Sequence, residues 1–207
     1  MVNAAVLVSG GGTNLQALLD AQAAGRMPHV RIALVVASNP QAYALQRAAK
    51  AGVEAVVCAR KAYESASAHD VALCGLLQGH GIDMVVLAGY LSMIGPRVLA
   101  AYPDKILNIH PSLIPSFCGK GFYGLKVHEA ALGYGVKVSG ATVHFVEADV
   151  DAGAVIMQKT VPVEEDDTPE RLQARVLKIE HEILPLCVKL LCEGKIVKEG
   201  RRVRVSD

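Results

Sequence analysis

Short runs of Val, Ile, Leu and Ala recur along the chain, and each is followed by a stretch with helical spacing. The runs are Ala4 to Val8, Val30 to Val36, Ala55 to Val57 and Met84 to Leu87, each too short for an ordinary helix. The stretches that follow the first three, Asn14 to Ala24, Gln41 to Ala51 and roughly Ser67 to Gly79, read as helices. Strand then helix, repeated, is the grammar of a parallel sheet with right-handed crossovers, a Rossmann-like half. From Lys105 the pattern changes to a strand toward Ile109, a Gly-rich loop, a helix near Leu125 to Leu132, and alternating strands around Val136 to Val146 and Ala154 to Val161. Thr168-Pro169-Glu170 supplies a cap, a first-turn proline and an acid for a last helix that stops near Gly194, with Pro185 predicting a kink or break. The expected fold is α/β: a mostly parallel sheet flanked by helices, with antiparallel strands and a long final helix in the C-terminal half. One domain over residues 1–207 is expected, with halves at about 1–104 and 105–195.

Composition narrows the function classes. A chain of 207 residues that is 52% hydrophobic can bury a core without disulfide or metal staples. Its 21 Lys and Arg nearly cancel 20 Asp and Glu, so no general pull toward nucleic acid or an acidic membrane is present, and small-molecule ligands are expected. The five cysteines form no CxxC pair, and none of the seven histidines has a metal-ligand partner at suggestive spacing, so neither a disulfide framework nor a bound metal is expected. The N-terminus enters VNAAVLVSGGG without a basic leader, and no window approaches roughly 18 uninterrupted apolar residues. A soluble cytoplasmic protein is expected.

Three constellations could carry chemistry. SGGGTNLQ, Ser9 to Gln16, joins the first strand to the first helix; its glycines allow close backbone approach, and a helix start offers amide donors and a positive dipole end to an anion. It is neither GxGxxG nor a Walker loop, and it reads equally as a tight turn with Thr13 as a cap. NIHPSLIP, Asn108 to Pro115, ends a strand; residues two apart share a face, so Asn108 and His110 stand side by side as donors suited to an oxyanion, with Pro111 and Pro115 stiffening the chain. A capping Asn and a surface His are the alternative. TVHFVEADVDAGAVI, Thr142 to Ile156, places His144 in a strand and Asp151 in a loop. Spacing leaves open whether Asp151 faces His110 or His144. The remaining histidines, His128 and His181 among them, read as surface or packed residues, and the Glu164 to Asp167 run as a solvated lead-in to the last helix.

The order of VSGGGTNLQ, VVLAGYLSMI, NIHPSLIPSFCGKG, GATVHFV and DAGAVI resembles the phosphoribosylglycinamide formyltransferases, folate-dependent enzymes of purine biosynthesis within a wider formyltransferase superfamily. The resemblance runs from Val6 to about Gly194. It implies catalytic roles for Asn108, His110 and Asp151, with His144 as a possible supporting residue, and a ribonucleotide-phosphate loop at Gly12, Thr13 and Asn14, with Glu180 on the ribose. It further implies a folate-pterin segment at Leu91, Ser92, Met93 and Ile94, and a pterin-lining loop at Glu147, Ala148, Asp149, Val150 and Asp151, with Asn108 also at the folate. The N-terminal half would then hold ribonucleotide phosphate, and the C-terminal half would hold folate and the chemistry.

Two departures stand out. Ala66 occupies a place where relatives often carry an Arg for the folate glutamate tail, leaving Arg60 or Lys61 as substitutes, and Leu177 replaces a polar or basic residue. The implied reaction is formyl transfer from 10-formyltetrahydrofolate to the amine of glycinamide ribonucleotide, with Asp151 keeping His110 charged and no metal. Cys118 needs no nucleophilic role in it. The partners implied are these two small molecules only, and the protein would be a monomer or homodimer. Alternatives with the same machinery are methionyl-tRNA formyltransferase, expected to add an RNA-binding domain, and formyltetrahydrofolate hydrolase, expected to add a leading regulatory domain. A silent folate- or nucleotide-binding module is the non-enzymatic alternative.

Overall fold

The structure is a computed structural model that describes residues 1–206. Its elements run β1 (Val2–Val8), α1 (Thr13–Ala23), β2 (Val30–Ala37), α2 (Ala44–Lys50), β3 (Glu54–Val57), α3 (Ala66–Gly79), β4 (Met84–Leu87), α4 (Pro96–Ala101), β5 (Ile106–His110), α5 (Leu125–Tyr134), β6 (Val138–Phe145), β7 (Val155–Pro162), α6 (Pro169–Cys192), β8 (Ile196–Glu199) and β9 (Arg202–Val205). The main sheet has seven strands in the order β3-β2-β1-β4-β5-β6-β7, with β8 and β9 in a separate hairpin. Pairings from β3 to β5 are parallel; β5 with β6 and β6 with β7 are antiparallel.

Alternation along the strands divides the core. Ala4, Val6 and Val8 of β1 pack with Leu15 and Leu18 of α1 and Leu172, Val176 and Leu184 of α6, whereas Ala5 and Leu7 pack with Leu73 and Leu77 of α3 and Val98 of α4. A strand apolar on both faces has to be covered twice, which explains uninterrupted runs such as VLV and MVVL.

Several expectations need correction. α2 begins at Ala44 instead of near Gln41, because Asn39 Oδ1 accepts from the Gln41 amide at 3.0 Å and holds that segment in a turn. α4 and the β8–β9 hairpin were not anticipated. α4 is six residues long and its cap is remote: the buried Asp70 of α3 accepts from the Arg97 and Val98 amides at 2.8 and 3.2 Å. α6 runs unbroken through Pro185, where buried Ile183, Leu184, Cys187 and Val188 fix the helix against the sheet despite one missing donor. At its start Thr168 accepts from the Arg171 amide and Pro169 takes the first turn, as expected. The acidic lead-in is exposed at Glu164, Glu165 and Asp166, as expected, while Asp167 forms a two-pronged pair with Arg175 at 2.7 and 2.9 Å. No helix among the described residues is long and apolar enough to cross a membrane.

Candidate active site

The chain leaves β1 for β2 on one side and later returns to β4 on the other, which opens a crevice beyond the carboxyl ends of these strands. A cavity of about 740 Å³ occupies it. Its walls come from the start of α1, the loop after β4, the end of β5, the loop before α5, the β6–β7 loop and α6.

Strand register builds the floor. In the β5–β6 pair Asn108 lies opposite His144 and His110 opposite Thr142, while Ile109 turns into the core on the other face. His144 Nδ1 donates to the Phe145 carbonyl at 2.7 Å, which leaves Nε2 to accept from Asn108 Nδ2 at 3.0 Å. That contact orients the amide, and the same Nδ2 lies 3.4 Å from Asp151 Oδ1. Asp151 sits between both imidazoles, with Oδ1 at 3.6 Å from His144 Nε2 and Oδ2 at 3.6 Å from His110 Nδ1. Asp151 therefore faces both histidines. Gly119 N–H donates to Oδ2 at 2.8 Å. Burial opposes ionisation of Asp151, but its contacts with His144, His110 and the Gly119 amide together bring its pKa below the ordinary carboxylate value.

His110 differs from expectation. Its Nε2 donates to the Phe117 carbonyl at 2.9 Å, so in the neutral ring Nδ1 turns a lone pair toward Asp151. Phe117 has a φ of 51°, a conformation that costs a non-glycine residue roughly 1 to 2 kcal/mol, and its ring meets Tyr134 edge-on at 6.0 Å. Burial pushes the His110 pKa below its ordinary value, against the opposing pull of Asp151 and the Phe117 carbonyl. The expected pull of Asp151 toward the charged form of His110 is present with the expected sign, and desolvation outweighs it. The proline segment is held by Thr142, whose Oγ1 donates to Ser112 O at 2.6 Å and accepts from Ile114 N and Gln158 Nε2 at 3.1 and 2.9 Å. The Ile114–Pro115 bond is cis.

At the α1 end, Gly11, Thr13 and Asn14 line the cavity and Gly12 does not. Gly12 has a φ of 71°, and a Cβ there would lie 2.6 Å from Ala44 Cβ, so the approach of α2 requires this glycine. A Cβ on Gly11 would meet nothing within 4 Å. Thr13 is not a cap; it opens the helix. The first amide bond of the helix is Gln16 N–H to Gly12 O at 2.9 Å, and the Thr13, Asn14 and Leu15 amides have no acceptor among the described residues. Arg47 braces the loop by donating to Gly11 O at 2.8 Å. Asn14 Nδ2 donates to Glu180 Oε2 at 2.6 Å, and burial raises the Glu180 pKa while this bond opposes the rise. Asn14 Oδ1 is buried without a donor.

At the other end, Leu91, Ser92, Met93 and Ile94 line the cavity, as do Glu147, Ala148, Asp149 and Val150. Leu91, Met93 and Val150 are exposed apolar side chains on its rim. The Leu91 amide donates to Ser9 Oγ at 2.8 Å, tying this segment to the first strand. Gly153 is required where the β6–β7 loop returns, because a Cβ would run into the Phe145 carbonyl. Ala66 opens α3 outside the cavity, and neither Arg60 nor Lys61 lines it; Arg60 instead donates to Tyr63 O at 2.9 Å. Cys118 lies 3.3 Å from Pro115 O, and burial together with Asp151 raises its thiol pKa, which disfavours a thiolate.

A protein-family model described as formyl transferase matches residues 2–188. The chain belongs to the formyl transferase family. Among family members, phosphoribosylglycinamide formyltransferase of Haemophilus influenzae is 39% identical over 196 residues, which cover 95% of this chain and 90% of that protein. The chloroplastic phosphoribosylglycinamide formyltransferase of Vigna unguiculata is 38% identical over 198 residues, and the match spans 95% of this chain but 63% of that longer protein. The crystal structure of glycinamide ribonucleotide transformylase 1 from Symbiobacterium toebii superposes with a TM-score of 0.94 at 49% identity, covering 100% of this chain and 95% of that one.

Cavity residues of this formyl transferase that the sequence reading did not assign to the site include Lys120, Gln173 and His128, the last read there as surface or packed. His128 is 1% exposed, neither ring nitrogen has a partner, and burial lowers its pKa to about 4. Its place one helical turn beyond the Gly-rich loop that follows NIHPSLIP was the available signal. Gln173 is placed by the pitch of α6, seven residues before Glu180, a spacing of two turns that could have been read once Glu180 was chosen. No group of three or more His, Cys, Asp or Glu among the described residues is arranged to hold a metal ion.

Proposed function

We propose that the chain transfers the formyl group of 10-formyltetrahydrofolate to the primary amine of glycinamide ribonucleotide, giving formylglycinamide ribonucleotide and tetrahydrofolate in de novo purine biosynthesis. The observation that carries this reading is the convergence of Asn108, His110, His144 and Asp151 on the floor of one cavity. Unpaired helix amides lie at one end of that cavity and an apolar rim at the other. Amides at a helix start suit a phosphate, and an apolar slot suits a pterin ring. The N-terminal half supplies the phosphate loop and the C-terminal half most of the reacting groups.

The ribonucleotide amine adds to the formyl carbon, and the carbonyl electron pair moves onto oxygen. Asn108 Nδ2 donates to that oxyanion. His110 Nε2–H joins it by exchanging the Phe117 carbonyl for the more strongly accepting anion. One well-placed oxyanion donor is worth about 3 to 4 kcal/mol, roughly a hundred- to thousandfold in rate. The amine loses a proton, the folate nitrogen gains one, and the bond between that nitrogen and the formyl carbon breaks. Asp151, ionised and in contact with the His110 ring, is the base placed to carry the proton.

Turnover of 10-formyltetrahydrofolate, followed by absorbance with and without glycinamide ribonucleotide, tests the reading. The expected result is turnover that requires the ribonucleotide. Equal rates with the folate alone would make the chain a hydrolase and reject the proposal.

A further inference from the structure

The cavity has an unbalanced charge. Four carboxyl groups line it, those of Glu147, Asp149, Asp151 and Glu180, against one Lys or Arg side chain, Lys120. Arg47 donates to Gly11 O and Gln16 Oε1, and with Arg26 it lines a separate pocket that shares only Thr13 with this one. α6 presents Gln173, Leu177 and Glu180, none of them cationic. A phosphate dianion seated on the α1 amides therefore meets helix dipole, amide donors and a nearby carboxyl, and needs a cation.

Inside the cavity, Lys120 is the residue placed to supply it. It is exposed and makes no ion pair among the described residues, unlike Lys198, which is spent on Asp104 and Glu147 at 2.7 and 3.0 Å. Its loop leads into α5, which packs on α6, and Phe117 just before it packs on the core shared by α1 and α6. The folate-side residues Tyr90 and Ile94 belong to the opposite core, with α3 and α4. The loop thus lies on the α1 and α6 side of the sheet. It is also bonded to the reacting groups, through Phe117 O to His110 and Gly119 N–H to Asp151.

We propose that Lys120 is a specificity-determining residue that pairs with the phosphate of the ribonucleotide, so that substrate charge is neutralised by the loop before α5 and not by α6. The proposal rests on the functional reading above and names which cation of this chain serves it.

The test is calorimetric titration of the full chain with glycinamide ribonucleotide, without formyl donor, for wild type, Lys120→Ala, Lys120→Arg and Lys120→Glu. Lys178→Ala, an α6 surface change outside the cavity, controls for general charge. Lys120→Ala is expected to weaken binding about tenfold, Lys120→Glu more, and Lys120→Arg much less, with the wild-type salt dependence flattened in the alanine variant. Lys178→Ala is expected to bind as wild type does. In parallel, KM for 10-formyltetrahydrofolate should change far less than KM for the ribonucleotide. Wild-type binding retained in folded Lys120→Ala and Lys120→Glu would overturn the proposal while leaving the formyl-transfer reading intact. A selective rise in folate KM would also overturn it, assigning Lys120 to the folate carboxylates. Wild type that binds no ribonucleotide would sink both.

Discussion

At the residue scale, Asp151 decides how protons are held. Its carboxylate opposes the lowering of the His110 pKa by burial, so Asp151→Asn should make His110 titrate lower still, as read by NMR of labelled histidines. The same change is expected to cut kcat at least about a hundredfold, with a smaller effect on ribonucleotide KM. A His110 pKa that rises in the variant would show that the carboxylate does not act on this ring. The two glycines before α1, in the loop proposed to hold phosphate, should separate binding from folding. Gly11→Ala adds a methyl group to open cavity space and should raise ribonucleotide KM in a stable protein, whereas Gly12→Ala meets Ala44 and should lower the melting temperature. If both variants lose only stability, Gly11 does not face the ligand. His128 adds a pH dependence. Folding holds this imidazole neutral down to about 4 against an ordinary value of 6.5, so the unfolded chain binds its proton first and stability is lost as pH falls through that window. His128→Gln should flatten the fall in melting temperature between those pH values, and an unchanged slope would place the acid sensitivity elsewhere.

At the scale of elements, local signals were read well and remote ones were not. The Thr168-Pro169 start of α6 is written in consecutive residues and the helix begins there. α4 depends on Asp70, 27 and 28 residues away from the amides it caps, and no window of sequence contains both partners. Asp70→Ala should leave two amides unpaired and cost about 1 to 3 kcal/mol, with Asp70→Asn recovering part of it, as measured by urea denaturation. A loss below a few tenths of a kcal/mol would mean that α4 is held by its first-turn Pro96 and the packing of Val98 alone. Pro185 was misjudged for the opposite reason: a strong local breaker is overruled by burial of the residues around it.

For the whole molecule, the alternation of runs makes the parallel half legible, and the strand ends mark the crevice. Asn108 and His110 could be placed on one face because residues two apart in a strand share a side. The partner of Asp151 could not, since it depends on the antiparallel β5–β6 register and on a loop whose return requires Gly153. Phe117 carbonyl contact with His110 had no sequence signal, because it is made by backbone in an uncommon conformation. The assembled floor is what the account rests on, and following the formyl carbon tests it most directly. With donor labelled at that carbon, the label should appear on the ribonucleotide amine in wild type and fall at least about a hundredfold in rate in Asn108→Ala, which lacks the proposed oxyanion donor. Label released as formate, or transfer at an undiminished rate in the variant, would contradict the account.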